Sequence, residues 1–246
     1  MQFTRPAQNS SRPDNYILAN LPEAEYATLS KSLVRVELPL GYKFAGPGDH
    51  MDYIYFPTAG VVSTTAVTGA GEIVEIGMTG GDGLIGIQAL LGQPESKHSI
   101  VMQIAGHGYR TKVSVAKELV GENGRFTELF YENVALQMLQ MGQSALCNRL
   151  HEVKARLARW LLTAADRNRD ERLGLTQEFL SQMLGSRRST VTVMAGELQR
   201  EGLIEYSRGK ILITNREDLQ HVACECYQIV SSAYKNALQG DGAAKG

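Results

Sequence analysis

The chain changes texture once, at Gly124, and that single change limits the folds open to it. From about Val34 to Val115, short β-rich runs alternate with glycine turns. The clearest runs are Val34–Leu38, Tyr53–Phe56, Val61–Thr68, Glu72–Met78, Ser99–Ile104 and Tyr109–Val113. Between them stand Pro39-Leu-Gly41, Gly46-Pro-Gly48, Thr58-Ala-Gly60, Gly69-Ala-Gly71 and Gly80-Gly-Asp-Gly83. Many short strands at about 8–12-residue spacing specify a sandwich or barrel, not a parallel sheet with crossover helices. Leu84–Leu91 reads as one short helical insertion, and Leu21, Tyr26, Leu29 and Leu33 give the segment before the strands a helical spacing. From Phe126 to about Ala165 no proline occurs, and the pattern becomes helical. Leu136, Leu139, Gln143, Leu146, Leu150, Val153, Leu157, Trp160 and Ala164 alternate at three- and four-residue steps. That is a coiled-coil seam with Gln143 as its polar member, which predicts pairing with a second helix. Arg149, His151 and Glu152 cluster where a hinge fits.

Composition first argues against a nucleic-acid partner, because Lys plus Arg number 25 against 26 for Asp plus Glu. Phosphate contacts need cations. The charge is unevenly placed, however: residues 1–140 carry a net −4, residues 141–216 a net +5 and residues 217–246 a net −2. The near-zero total hides a basic segment. No apolar run approaches the roughly 18–20 residues of a membrane span. The polar start, residues 1–14 with two prolines, is expected to be a disordered arm and no secretory signal. Three cysteines make no disulfide framework, which predicts a reduced, cytoplasmic setting.

The basic segment has a further pattern. Thr176 is placed to cap a helix whose apolar face is Phe179, Leu180, Met183 and Leu184, with Glu178 at its positive end. Gly185 supplies a turn, and Ser186 is the expected cap of a second helix with Val191, Met194, Ala195 and Leu198 turned inward. Gly202 ends it, and Leu203–Tyr206 and Ile211–Thr214 flank Ser207-Arg-Gly-Lys210 as a basic hairpin. Residues 169–174 form a polar turn in front of the pair. Helix, glycine turn, helix and basic hairpin make a winged helix-turn-helix, whose second helix enters the major groove by its N-terminal end. Arg188 stands there, and its fork matches guanine O6 and N7. Arg187, Ser189, Thr190 and Thr192 suit bases or phosphates, and Val193 a thymine methyl. Thr176, Gln177 and Ser186 at the helix starts, with Arg208 and Lys210 on the hairpin, suit the phosphate backbone.

This order of parts resembles the CRP/FNR family of bacterial transcription regulators, over about residues 15–216. The resemblance is strongest in Leu175–Ile204, where the turn glycine, Arg188 and the closing Gly202-Leu-Ile204 match, and it extends to Arg156-Leu-Ala-Arg-Trp-Leu-Leu162. It implies an α+β chain with an N-terminal double-stranded β-helix (β-roll, 15–125), a dimerisation helix (126–149) and a winged helix-turn-helix domain (150–216), followed by a C-terminal helix and tail (217–246). It also implies a homodimer on a two-fold symmetric operator, with RNA polymerase as a partner and an effector the sequence does not identify. The dimer seam is then Leu136, Leu139, Gln143, Leu146 and Leu150.

Departures from the family's pattern limit the effector. Its cyclic-nucleotide cassette has a Gly-Glu pair and an Arg-Ser/Thr-Ala triplet; this chain has Gly86-Ile87 and His98-Ser99-Ile100. Ile87 accepts no ribose hydrogen bond and neutral His98 replaces no bidentate arginine, so cyclic AMP is not expected to bind. In the recognition helix the family's usual acidic residue after the arginine is Ser189, and its second arginine is Val193. Three cysteines, all beyond residue 146, exclude an iron–sulfur sensor of the FNR type. His50, His98 and His107 are read as surface or core residues, not haem ligands. Gly81-Asp-Gly-Leu-Ile-Gly86 fits a dinucleotide fingerprint, but lacks the βαβ context such a site needs. No catalytic carboxylate pair, nucleophile triad or phosphate loop emerges, so no enzyme is expected; a scaffold whose winged helix binds protein is the alternative. Cys147 and His151 share a helix face, whereas His221, Cys224 and Cys226 lie about 70 residues on. Cys224 and Cys226 point about 160° apart on a regular helix, so no metal site is expected and the thiols are read as buried and structural.

Overall fold

The computed structural model describes residues 12–240. The expected arm lies outside the described residues as far as residue 11. Two of its last three residues are tied down: Arg12 stacks on the Tyr26 ring and pairs with Glu23, and Asp14 pairs with Arg169.

Two short helices, α1 (Tyr16–Ala19) and α2 (Glu23–Ser30), precede seven strands. These are β1 (Val34–Leu38), β2 (Lys43–Ala45), β3 (Tyr53–Pro57), β4 (Val61–Val67), β5 (Ile73–Thr79), β6 (Ser99–Ile104) and β7 (Gly106–Lys112), with α3 (Ile87–Leu90) between β5 and β6. They form two antiparallel sheets, β1-β7-β3 and β2-β6-β4-β5. Leu38, Met51, Tyr55, Val62, Ile85, Ile100 and Met102 are buried together as their core. Every strand pairing among the described residues is antiparallel, so the glycine-rich stretch before α3 is a turn of this domain and opens no βαβ unit there. Gly86 sits at φ +100, where a Cβ would meet Ile54 Cγ2 at 3.0 Å and the Tyr53 carbonyl at 3.2 Å. Both backbone and space require glycine there.

The chain then turns helical one element earlier than its texture suggests. α4 (Val113–Gly121) takes up valines that read as β, because Ala116 and Leu119 are buried at helical spacing. α5 (Arg125–Leu150) is the long helix. It stops at His151, extended at φ −104 and ψ 147, and α6 (Val153–Asn168) begins after Glu152. The seam therefore divides at the expected hinge, and Leu157, Trp160 and Ala164 on α6 join the core of the C-terminal domain.

That domain contains α7 (Gln177–Met183), α8 (Arg188–Arg200), β9 (Ile204–Ser207) and β10 (Lys210–Ile213). Arg172–Leu173, expected in a polar turn, forms β8 and pairs with β10, so the wing is a three-stranded sheet, β8-β10-β9. Beyond it lie α9 (Arg216–Val222) and α10 (Cys226–Gly240). The single helical segment expected here is broken at 223–225. The three thiols are buried as expected, and the break takes Cys224 out of helical geometry, where it reaches Cys147 at 3.5 Å. α10 runs back along α5, burying Leu136 under Val230 and Tyr234 of the same chain. Arg216 fastens this extension: it pairs with Asp166, lies 2.8 Å from Glu171 Oε1 and donates to the Tyr227 hydroxyl at 3.0 Å.

Candidate nucleic-acid interface

The two helices that build this face are set by local rules. Thr176 caps α7, its hydroxyl accepting the Phe179 N–H at 3.2 Å. Gly185 makes the turn at φ +54 and Gly202 closes α8 at φ +75, both in the left-handed region that glycine enters without strain. Ser186 does not cap α8 as expected. Its hydroxyl donates to the Leu184 carbonyl at 3.3 Å, and Arg187 holds the cap position with no side-chain bond. The turn delays the helix by one residue, which leaves backbone N–H groups at its start without a side-chain cap.

Val191, Ala195 and Leu198 anchor α8 in the core. The opposite face is open: Arg187, Arg188, Ser189, Thr192 and Val193 are exposed, with Thr190, Ser186 and Gln177 half-buried beside them. Val193 is 54% exposed, unusual for a valine with a core beneath it. Thr192 Oγ1 lies 2.8 Å from Gln177 Oε1 and 2.9 Å from the Arg188 carbonyl, linking the two helices on this face. Arg188 Nη1 stands 3.7 Å from Glu178 Oε2, an exposed pair of small energetic worth. The wing turns at Arg208 (φ 48) and Gly209 (φ 76), the two positive angles of a tight hairpin. Arg208 and Lys210 are exposed at its tip, and Thr176 is exposed at the start of α7. Cations, hydroxyls and one apolar side chain thus share an open face with a helix N-terminus, a combination suited to phosphate and base edges.

The other residues singled out by sequence are placed differently. Ile87 is 5% exposed and packs with Leu84 and Leu90 in the core. His98 exchanges backbone bonds with the Ser96 hydroxyl, and the Ser99 carbonyl accepts from Thr65. His50 pairs with Asp52 at 3.0 Å. Along α5, Leu136 is withdrawn from the seam by α10. Leu139 and Gln143 are half-buried, while Leu146 and Leu150 are open. Tyr131 and Met138, absent from the expected seam, extend the open stripe; Met138 is 69% exposed. Gln143 Oε1 is buried without a hydrogen-bond partner among the described residues.

Sequence reasoning missed a buried polar contact between the two domains. Glu75 on β5 is buried and accepts from Trp160 Nε1 on α6 at 2.9 Å and from the Ser63 hydroxyl. Burial pushes its pKa up to about 7, against the opposing pull of Ser63, Arg159, Trp160 and Arg167. Nearby, Met183 Sδ of α7 lies 3.4 Å from the Ser63 Oγ. A glutamate within an apolar strand was the one signal that could have pointed here.

Residues 155–222 match the model of the Crp-like helix-turn-helix domain. By fold the chain is similar to FixK2 from Bradyrhizobium japonicum, with TM-score 0.67 and 15% identity over 78% of this chain and 98% of that one. It is similar to CLP of Xanthomonas campestris, a c-di-GMP responsive global regulator, with TM-score 0.65 and 15% identity over 78% and 99%. It is similar as well to TTHA1359, a CRP/FNR family transcriptional regulator from Thermus thermophilus, with TM-score 0.63 and 24% identity over 77% and 98%. No curated protein matches it by sequence.

Proposed function

We propose that this chain, which carries a Crp-like helix-turn-helix domain on the fold of the CRP/FNR transcription regulators, acts as a homodimer on a two-fold symmetric DNA operator. The observation that carries the reading is the open N-terminal half of α8, where Arg188, loosely paired with Glu178, and Val193 stand exposed above a buried Val191–Ala195–Leu198 face. Arg188 reads a guanine, Val193 meets a thymine methyl, and Arg187, Arg208 and Lys210 hold phosphates. The β domain (15–125) senses, the long helix (126–149) pairs, the winged domain (150–216) reads, and RNA polymerase is the partner on DNA.

Pairing is supported by the stripe of Tyr131, Met138, Leu146 and Leu150 along α5. The unsatisfied Gln143 oxygen lies beside it, and the same amide of a second copy would satisfy it across a two-fold axis. The effector is not cyclic AMP, because Ile87 is spent in the core and no arginine stands at His98. A ligand acts only through its differential affinity for two arrangements of the winged domains.

The test starts from operators recovered by randomised-oligonucleotide selection. In gel shifts, Arg188→Ala is expected to cost about 1–3 kcal/mol and to relax preference at one base pair of each half-site. Unchanged affinity and preference would remove Arg188 from the reading face.

A further inference from the structure

Away from the DNA face, the fold gathers four side chains that the proposed reading does not use. Cys147 lies in the last turn of α5, His151 at the bend after it, Cys224 in the break between α9 and α10, and Cys226 at the first position of α10. Three sulfurs and one imidazole nitrogen all lie within 4.8 Å of one another. Cys147 Sγ is 3.5 Å from Cys224 Sγ, and Cys226 Sγ is 3.6 Å from His151 Nδ1. A tetrahedral ion with bonds of about 2.0–2.3 Å to nitrogen and sulfur holds its ligand atoms roughly 3.5–3.8 Å apart. The measured separations need only small side-chain movements to match.

The surroundings fit an ion as well. All three thiols are free and buried. His151 Nε2 lies 3.1 Å from Glu225 Oε1, so the carboxylate holds the far nitrogen and turns Nδ1 toward the sulfurs. That is the carboxylate–histidine–metal arrangement that fixes a ligand's tautomer and orientation. Arg159 Nε is buried without a hydrogen-bond partner among the described residues, and its positive charge acts on all three cysteines, opposing the neighbouring thiol and the burial that raise Cys224 and Cys226. Three thiolates and a divalent ion sum to one negative charge, which this guanidinium offsets. A Cys147–Cys224 disulfide would need the sulfurs to close to about 2.05 Å, and it would give Cys226, His151 and Glu225 no role.

We propose that Cys147, His151, Cys224 and Cys226 form a closed tetrahedral site for a thiophilic divalent ion of the zinc class, clamping the C-terminal extension to the bend between α5 and α6. Three thiols lose their protons to solvent as the ion binds. Four protein ligands leave no open position, so the site is structural and not catalytic. Its bearing on DNA depends on the reading above, but its existence does not.

The full chain, purified under nitrogen with reductant and no chelator, is expected to contain about one zinc per chain by plasma mass spectrometry. After removal of metal, added cobalt(II) is expected to give the visible bands of a tetrahedral ion and thiolate-to-cobalt charge transfer. Cys224→Ser should lose both. Glu225→Gln, which keeps all four ligands, should bind about 10–100-fold more weakly. The cobalt spectrum of the unaltered chain keeps the idea testable if a cysteine variant fails to fold. The proposal is overturned by a reduced chain that neither carries metal nor develops cobalt bands, by metal content that survives Cys224→Ser, or by a Cys147–Cys224 disulfide in the anaerobic preparation.

Discussion

Burying a carboxylate between two domains ties stability to pH, and at Glu75 the sign follows from its surroundings. The side chain is fully buried against Ser63 and Trp160, with Arg159 and Arg167 the charged groups acting on it. Desolvation outweighs them and holds the folded pKa at about 7 against an ordinary 4.5. Between those values the folded state binds more protons than the unfolded one, so stability falls as pH rises through the window. The full cost of the buried anion, on the order of 3 kcal/mol, is present above it and absent below. Glu75→Gln keeps the shape and removes the charge. Urea unfolding should show this variant gaining on the wild type from pH 5 to pH 8, and a difference constant across that range would sink the argument. The residues of the α8 face were legible because the inward period of Val191, Ala195 and Leu198 leaves Arg188, Ser189 and Thr192 outside. Glu75, Trp160 and the thiol cluster were not, since periodicity says that a side chain is buried and never what it is buried against. Cys224 stands 77 residues from Cys147, and only the helix break brings them together.

At the scale of elements, the C-terminal extension is held by a small polar network as well as by its apolar contacts with α5 and the winged domain. The Arg216 guanidinium bridges Asp166 on α6, Glu171 ahead of β8, and Tyr227 on α10, while Tyr227 also donates to Asp166 at 3.0 Å. The Asp166 side chain is only 4% exposed. Its carboxyl is already raised by desolvation, with Arg216 the largest opposing influence. Arg216→Ala would leave that buried acid with the Tyr227 hydroxyl and the more distant charge of Arg167, and breaking such a pair costs about 3–5 kcal/mol. Denaturant titration of the variant should show a loss of that order; a loss below about 1 kcal/mol would mean the network is not what fastens α9 and α10. Glycine-bounded runs made most strands visible in the sequence. β2 and β8 escaped because three and two residues carry no period, and β8 exists only because β10 offers it an edge. α4 was masked by β-branched Val113 and Val115, whose strand preference yields to packing of Ala116 and Leu119.

Over the whole molecule, the basic segment is less basic at its surface than its net +5 suggests. Arg156, Arg159 and Arg167 are 6%, 8% and 6% exposed, and Arg216 is occupied by Asp166 and Glu171. Arg187, Arg208 and Lys210 are exposed, and on the proposed reading they are the cations left for phosphate, with Arg188 assigned to a base. Three contacts from one copy make a weak binder with a log K against log salt slope of about −3; six from two copies should give a slope of about −5. Affinity then depends on the open stripe of α5. Met138, at 69% exposure, lies on it, clear of the buried side where Leu136 meets α10. Met138→Glu sets two carboxylates against each other across a two-fold axis without touching the chain's own core. Sedimentation should find this variant monomeric, and its binding to a full operator should weaken while the salt slope falls toward about −3. A variant that remains dimeric with the full slope would place the contact between copies elsewhere than α5.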